Sequence, residues 1–201
     1  EMLRSLVGSE MCIRDRDCFD PVSRCYSLVE NGAAAIVTDF RQDEEGLTHM
    51  LILDRGLTPA RAGALAQRLL EVETYRTLAL LALPLTRSMT SNLRRMEARL
   101  AAITEEMRRA SGGRRDSDVL LSDLTSLAAE LEADAAANLY RFGASRAYYE
   151  IVEERLDALA EDQVAGYSTW ADFLYRRIAP AMRTCQSVKE RQGKLLSLIH
   201  I

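Results

Sequence analysis

The hydrophobic pattern of this chain changes its period once, near Thr58, and the change divides the sequence into a strand-forming part and a helix-forming part. Before Thr58, apolar and polar residues alternate, as around Leu51 and Leu53, which is typical of a strand with one buried face. After Thr58, apolar residues recur at steps of three and four, which is typical of helices that pack along one face. The sequence therefore predicts an α+β fold that is predominantly helical.

The first part predicts a three-stranded antiparallel β-meander. Asn31-Gly32 tolerates positive φ and predicts a two-residue hairpin turn between strands at 26–30 and 33–40. The polar turn Asp43-Glu44-Glu45-Gly46 then leads into a third strand, around His49. Three strands form a thin sheet with long edges, so we expect strands from upstream of this sequence to cover those edges.

The second part predicts three long helices. Thr58 is a good N-cap and Pro59 fits the first helical position, while Pro84 should kink the first helix because proline lacks an N–H. Gly112-Gly113 separates it from a second helix, and a third begins near Ser168. Heptad spacing predicts coiled-coil-like packing of apolar seams. These seams are Met89, Leu93, Met96, Leu100, Ile103 and Met107, then Leu120, Leu124, Leu127, Leu131, Phe142, Ser145, Tyr149, Val152, Leu156 and Leu159, then Leu174, Ile178, Ala181, Cys185, Val188, Gln192 and Leu195.

Charge favours antiparallel pairing of the first two helices. Residues 87–109 carry six arginines against three glutamates, whereas residues 116–134 carry six acids and no base. Exposed ion pairs contribute little stability individually, so this complementarity selects register and orientation more than it holds the helices together.

Both ends of the sequence differ in character from the part between them. Residues 1–16 (EMLRSLVGSEMCIRDR) and 196–201 (LSLIHI) resemble translated sequencing-adapter read-through, so we set them aside as artefacts. The remaining organisation is a partial β-rich head at 17–57 and a long helical coiled-coil bundle at 58–195. We expect this segment to be a fragment of a longer protein.

Composition limits the classes of function. The net charge of -4 gives no global field that would attract nucleic acid, and we expect no nucleic-acid partner. The longest apolar run, 78–83, is far shorter than the roughly 20 residues of a membrane span. The cysteines show no close CxxC spacing, which favours reduced, cytosolic thiols.

No group of residues predicts a catalytic, cofactor or metal site, and we assign none. His49 fits a strand-face histidine with structural hydrogen bonds better than a lone zinc ligand. Cys185 lies on a helical seam, which favours a packed thiol over a nucleophile. The acidic cluster fits a solvated helix face better than a cation site, and it comprises Glu150, Glu153, Glu154 and Asp157. The turn Asp43-Glu44-Glu45-Gly46 lacks the spaced oxygen ligands of a calcium loop, and 112–115 lacks phosphate-loop spacing.

The stretch 138–149 (NLYRFGASRAYY) is the local feature that most favours function. Tyrosines, arginines and small residues crowd a point where the heptad register shifts. Arg141 and Arg146 are candidates to reach carboxylates or a ligand across the helices. The alternative is a polar packing layer that fixes helix register, and it is the favoured interpretation.

Three runs in this sequence resemble a bacterial family of uncharacterised, predicted membrane-anchored proteins, a domain of unknown function. The runs are LDRGLTPARAGALAQRLLEVETYRTLALLALPLTR at 53–87, NLYRFGASRAYYEIVEERLDAL at 138–159 and RRIAPAMRTC at 176–185. The resemblance implies more soluble chain before the strands and a C-terminal pair of membrane spans after the helices. It also implies that this segment lies on the cytoplasmic side of the bacterial inner membrane. It implies no catalytic or binding residues.

Two functions follow as expectations. The first is a non-enzymatic, membrane-tethered stalk that acts through a protein partner or through self-association of its helices. The alternative is the soluble domain of a CorA-like ion channel or transporter assembly, which rests on analogy of architecture alone. An enzyme in the head would require groups from a missing N-terminal part.

Overall fold

The computed structural model describes residues 19–109 and 114–199. It is a mixed α+β structure in which helices predominate, as the sequence predicts. Its elements are β1 (Cys25–Val29), β2 (Ala34–Gln42), β3 (Thr48–Asp54), α1 (Pro59–Leu80), α2 (Ala82–Arg109), α3 (Arg114–Asp157), β4 (Asp162–Gln163) and α4 (Trp170–Ile199).

The chain forms two compact units. The sheet unit contains the described residues up to Thr74 together with Ile151–Arg177. The helical unit contains Tyr75–Glu150 and the chain from Ile178 onward. This division differs from the boundary at residue 58 that the change of period suggests, because residues of α1 such as Leu65 and Leu69 are buried with the sheet unit. The assignment of residues 1–16 and 196–201 as artefacts stays a prediction, and residues 1–16 lie outside the described part.

The sheet has four strands in the order β3-β2-β1-β4, and every neighbouring pair is antiparallel. The prediction of a three-stranded sheet was therefore incomplete. The fourth strand, β4, contributes only two residues, which pair with Ser27 and Leu28 of β1. A two-residue strand has no room for alternation, so the sequence pattern cannot reveal it. The edge of β1 is covered by this downstream segment rather than by an upstream strand.

The connection between β1 and β2 is longer than the predicted two-residue turn. It comprises residues 30–33, with positive φ at Glu30 (56°), Asn31 (57°) and Gly32 (80°). A glutamate is uncommon in this left-handed region. The Glu30 carboxylate forms ion pairs with Arg61 (2.6 Å) and Arg68 (3.5 Å) of α1, and these pairs hold the turn against the helix.

The predicted polar turn at residues 43–46 is confirmed. The backbone N–H of Gly46 donates to the carbonyl oxygen of Asp43 at 3.0 Å, and the Asp43 carboxylate accepts from the N–H groups of Glu45 and Leu47. These bonds lower the pKa of Asp43, the bond from Leu47 having the largest effect. The carboxylate thus serves as an acceptor within its own turn.

Strand β3 is only partly buried. Leu51 and Leu53 pack against the apolar cluster of Phe19, Tyr26, Ala35 and Val37, as the predicted alternation requires. His49 and Leu47, which share that alternation, are exposed. The apolar face of β3 is therefore shorter than the sequence pattern suggests.

The first predicted helix is divided into α1 and α2 at Leu81. Helix α1 begins as expected, with the Thr58 hydroxyl accepting from the N–H of Arg61 at 3.4 Å. The break lies three residues before Pro84, which cannot donate to the carbonyl of Leu80 and crowds it. The kink expected at the proline is thus a complete interruption of the helix.

The apolar seams of the helices form the core of the helical unit. The buried members are Ala82, Met89, Leu93, Met96, Ile103, Leu120, Leu127, Leu131, Phe142, Cys185, Val188 and Leu195. Leu100 and Leu124 are partly buried against them, whereas Met107 is 52% exposed. Supercoiling of these helices stays a prediction.

Ion pairs connect the helices in the order that an antiparallel arrangement requires. Arg95 of α2 binds Glu130 of α3 at 2.7 Å, and Arg99 lies 3.5 Å from Glu130 and 3.7 Å from Asp123. Later residues of α2 thus pair with earlier residues of α3, as an antiparallel arrangement requires. In addition, Arg191 of α4 binds Glu97 of α2.

Within the described residues, no helix combines the length and the apolar composition that a membrane span requires.

The end of α4 provides a test of the terminal assignment. Leu196 and Ile199 pack at the margin of the helical core. Because both are only partly buried at a helix end, removing residues 1–16 and 196–201 is expected to lower the free energy of unfolding by less than about 1 kcal/mol. Circular dichroism and thermal unfolding of residues 17–195 beside the full chain measure this. A large loss of helix content would show that the ends belong to the fold.

Candidate functional site

The start of α4 is the most elaborate polar arrangement in the sheet unit. The Glu161 carboxylate accepts hydrogen bonds from the backbone N–H groups of Trp170 and Ala171, both at 2.9 Å. The Thr169 hydroxyl accepts from the N–H of Asp172 at 3.1 Å. Three N–H groups that an isolated helix would leave unpaired are thus bound by side chains, and the negative charge of Glu161 lies at the favourable end of the helix dipole.

Cys25 lies beside this helix start and is completely buried. Burial raises the pKa of its thiol to about 12, and the Glu161 carboxylate acts in the same direction, while Arg177 and Arg176 act against it. The thiol donates a weak hydrogen bond to the carbonyl oxygen of Ser23 at 3.6 Å. A protonated, inaccessible thiol is a poor nucleophile, so Cys25 serves packing rather than catalysis.

An aromatic cluster fills the space between β2 and α4. The rings of Phe40 and Trp170 meet edge to face with centroids 5.0 Å apart, and Phe40 stacks on Phe173 at 5.4 Å. The Arg177 guanidinium lies 4.0 Å from the centroid of the Phe173 ring. These contacts fix the start of α4 against the sheet.

Some buried polar atoms near this cluster have no hydrogen-bond partner among the described residues. They include the Ser27 hydroxyl, the Trp170 indole nitrogen and the Arg24 Nε. Buried polar atoms are normally paired. The three atoms belong to a hydroxyl, an indole and a guanidinium, and each can donate a hydrogen bond.

The sequence candidates for metal or nucleophile chemistry each have their own surroundings. His49 Nε2 lies 2.7 Å from the Asp43 carboxylate on the exposed side of a turn. The acidic residues 150, 153, 154 and 157 are exposed on α3. Cys185 is buried in the helical unit, where the Thr86 hydroxyl donates to its sulfur at 3.2 Å. Within the described part of the chain, no three His, Cys, Asp or Glu side chains are arranged to hold a metal ion.

The stretch 138–149 has a buried side and an exposed side. Phe142 and Ser145 point into the helical unit, and the Ser145 hydroxyl donates to the carbonyl oxygen of Ala79. That carbonyl lies in the last turn of α1, where the helical ladder is interrupted. The side chain of Ser145 therefore supplies a donor that the broken helix lacks.

The two arginines of this stretch do not converge on one site. Arg141 is exposed, and Arg146 binds Glu150 of its own helix at 2.8 Å. Tyr148 stacks on Tyr75 with ring centroids 5.8 Å apart. These contacts describe a packing layer between helices, and they bring no two arginines to a common ligand.

The outward side of α3 is unusual in composition. Leu139 is 61% exposed and Tyr140 is 82% exposed, although both are large and largely apolar. Small side chains surround them on the same side of the helix, and these are Ala129, Ala133, Ala136, Ala137, Gly143 and Ala147. A large apolar group among small ones is a surface on which another helix can approach closely.

Comparison with protein families matches residues 10–200 to the family described as "Protein of unknown function (DUF3422)". The chain belongs to the DUF3422 family. Searches of the curated proteins and of the solved structures found no match. The match covers almost the whole chain, and the family description assigns no activity, so the roles of residues in this DUF3422 chain rest on its own geometry.

Sequence reasoning missed the residues that organise the start of α4 in this DUF3422 chain. Glu161 precedes the helix by nine residues, outside the three-residue spacing of a capping box, so no local pattern reveals its role. Trp170 carries a weak signal, because it is the only tryptophan of the chain. The sequence predicted that this helix begins near Ser168, and it did not identify Thr169, the next residue, as the cap.

The ion pair of Glu97 and Arg191 predicts a pH dependence for the DUF3422 chain. Hydrogen bonding to Arg191 lowers the pKa of Glu97 in the folded state. The stability from this pair is therefore present above the pKa of an unfolded glutamate, about 4.3, and is lost as the pH falls through the lowered folded value.

We expect the Glu97→Gln variant to lose less unfolding free energy than the unmodified chain between about pH 7 and about pH 3. Urea unfolding at each pH measures the difference. Glu106→Gln, a change at an exposed position of α2, is the control and should follow the unmodified chain. Parallel pH profiles for the unmodified chain and Glu97→Gln would contradict the assignment.

Proposed function

We propose that this chain is a structural and protein-interaction part of a membrane-anchored bacterial protein, rather than an enzyme. The observation that carries the proposal is the outward side of α3, where Leu139 and Tyr140 are exposed among small residues. Monomeric proteins scatter exposed apolar residues singly, whereas a local group of them on a regular helix is typical of a protein-binding surface.

The partner of this surface is another amphipathic helix. Alanine and glycine side chains allow two helix backbones to approach closely, and a protruding tyrosine can then pack against the neighbouring helix. On the opposite side of α3, Leu127 and Leu131 are completely buried in the helical core. The buried side therefore holds α3 in place, and the outward side is available to a partner helix.

The charged groups of the helical unit support a scaffold role. Arg95, Arg99 and Arg191 bind carboxylates on other helices of the same unit. Each such exposed pair contributes little energy, but together they fix the order and the register of the helices. A fixed register keeps the outward side of α3 continuous.

The membrane tether and the cytoplasmic side are proposals that rest on the sequence resemblance. The resembling proteins carry a pair of C-terminal membrane spans, and this segment corresponds to the part before them. Fractionation of the natural full-length protein tests the tether. It should sediment with membranes and be released by detergent rather than by high salt, and release by salt alone would contradict an integral anchor.

The interaction surface is tested by changing Tyr140 in the natural full-length protein. Tyr140→Asp places a charge at the centre of the proposed contact and should shift the detergent-solubilised protein to a smaller species on native electrophoresis. Tyr175→Asp is the matched control, because Tyr175 is 60% exposed on α4. Circular dichroism verifies that both variants fold. Equal particle sizes for Tyr140→Asp and the unmodified protein would overturn the proposed surface.

A further inference from the structure

We propose that the helical unit contains a hinge at the level of Ser145, where its helices open together while the larger apolar core of the unit stays packed. The helices that meet at this level each have an interruption or a weakening residue there. The residues of this hinge layer all belong to the helical unit, and they are Ala79, Leu81, Gly143, Ser145, Pro180 and Met182. The hinge is independent of the partner surface proposed above.

The first interruption lies between α1 and α2. At this junction the α-helical hydrogen bonding is replaced by a tighter turn, in which the N–H of Leu81 donates to the carbonyl oxygen of Leu78 at 3.2 Å. Leu81 itself is 65% exposed. Since the helical ladder is broken here, a change in direction of the chain costs less than it would inside a regular helix.

Helices α3 and α4 are continuous at this level, but each contains a residue that weakens a helix. Gly143 lies in the interior of α3, where glycine is less favourable than alanine because it has more backbone freedom to lose. A Cβ atom at this position would meet nothing within 4 Å, so no close contact requires the glycine. Pro180 lies inside α4, where it removes one helical hydrogen bond and crowds the preceding turn.

The contacts of the Ser145 hydroxyl place these three points at one level. The hydroxyl donates to the carbonyl oxygen of Ala79, two residues before the junction of α1 and α2. It also lies 3.9 Å from the sulfur of Met182, two residues after Pro180. Ser145 in turn follows Gly143 by two residues and is buried. One buried hydroxyl thus contacts both other helices next to their weak points.

Small and polar side chains are buried in and beside the hinge layer. Ala79, Ala82, Thr86 and Ser145 are each at most 3% exposed, with Phe142 as a larger neighbour. The largest completely buried side chains of the helical unit lie farther along α2 and α3, and they are Leu93, Met96, Leu127 and Leu131. Small side chains bury less apolar area, so packing stabilises the hinge layer less than it stabilises that core. Opening of the layer therefore requires less free energy than unfolding of the whole unit.

Amide hydrogen exchange of the full 201-residue chain tests the hinge. We expect the amides around Leu81, Gly143 and Met182 to exchange through one shared opening, faster than those around Leu93 and Leu127. Gly143→Ala strengthens α3 alone. Because the three helices open together, it should nevertheless slow exchange about fivefold around Leu81 and Met182 as well.

Gly193→Ala is the matched control, because Gly193 is an exposed glycine of α4 with equal space for a Cβ atom. Position 193 remains helical when the hinge opens and becomes unfolded only with the whole unit. The control should therefore slow exchange around Leu93 and Leu127 but leave the hinge layer unchanged.

Ser145→Ala tests the bond that closes the layer. It leaves the buried carbonyl of Ala79 without this donor, and should accelerate exchange about tenfold around Leu81 and Met182. Ser126→Ala, at an exposed position of α3, is its control and should leave the layer unchanged. Circular dichroism verifies that both variants fold.

If Ser145→Ala does not fold, the comparison of Gly143→Ala with Gly193→Ala decides alone. Slower exchange in α3 only, on changing Gly143, would show that the three helices do not open together. Equal slowing of the hinge layer by Gly143→Ala and Gly193→Ala would show that the layer opens only when the whole unit unfolds. Either result would overturn the hinge.

Discussion

Replacing Leu127 by alanine is expected to destabilise the helical unit by about 2 to 5 kcal/mol. Leu127 lies on α3 and is completely buried among the apolar residues of the three helices that form this core. Truncation removes three carbon atoms from a site surrounded on all sides, and the lost contacts add to the cost of the cavity. The loss should be visible as a lower midpoint of denaturant unfolding at a wavelength that reports helix content.

Leu121→Ala is the matched control for this substitution. The residue type and the helix are the same, but Leu121 is 64% exposed. Its truncation should change the free energy of unfolding by no more than about 0.5 kcal/mol. Equal midpoints for Leu127→Ala and Leu121→Ala would show that α3 does not bury the side that the structure assigns to the core.

Trp170→Ala is the second change with a large expected effect, at about 3 to 5 kcal/mol. The indole is completely buried at the start of α4 and packs against Phe40 of β2. Trp170 has the largest fully buried side chain among the described residues, so its removal leaves a large cavity. The backbone N–H groups that Glu161 and Thr169 cap remain in the variant, so the loss reports the packing of the indole.

Unfolding of the Trp170→Ala chain is followed by circular dichroism, because the substitution removes the only tryptophan. Tyr175→Ala is the control, being an exposed aromatic residue on the same helix. We expect the control to remain within about 0.5 kcal/mol of the unmodified chain. A similarly small loss for Trp170→Ala would contradict the role of the aromatic cluster in fixing α4 to the sheet.

The helical part of the fold was largely predictable because its signals are periodic and long. The step pattern of Met89, Leu93 and Met96 identified a face that is indeed buried. The charge contrast between 87–109 and 116–134 identified the partners that Arg95 and Arg99 bind. Signals of this kind accumulate over many residues, so a local exception such as the exposed Met107 does not hide them.

The sheet was predicted less completely because its determinants are short or distant. Strand β4 consists of two residues, and its pairing with β1 depends on where α3 ends and α4 begins. The turn at Glu30 is stabilised by Arg61, thirty-one residues later. A local pattern of turn residues such as Asn31-Gly32 indicates that the chain reverses, but it does not fix the length of the connection.

The sequence predicted where the candidate surface on α3 lies, but it did not predict that the surface is exposed and apolar. The sequence marked 138–149 as unusual, since aromatic, basic and small residues share one register shift. The heptad spacing placed Ser145 on the apolar seam and left Tyr140 off it, and the structure buries Ser145 and exposes Tyr140. It did not show that Leu139 and Tyr140 are both strongly exposed, because exposure depends on which sides of α3 the neighbouring helices cover.

Site-specific photo-cross-linking in cells shows whether the outward side of α3 contacts a partner protein. A photoreactive phenylalanine derivative replaces Tyr140 in the natural full-length protein, and the same group replaces Tyr175 as the control. We expect a discrete protein adduct from position 140 that Leu139→Asp removes, with no corresponding adduct from position 175. Absence of an adduct at position 140, or the same adducts from both positions, would contradict the claim that the outward side of α3 is where this protein acts.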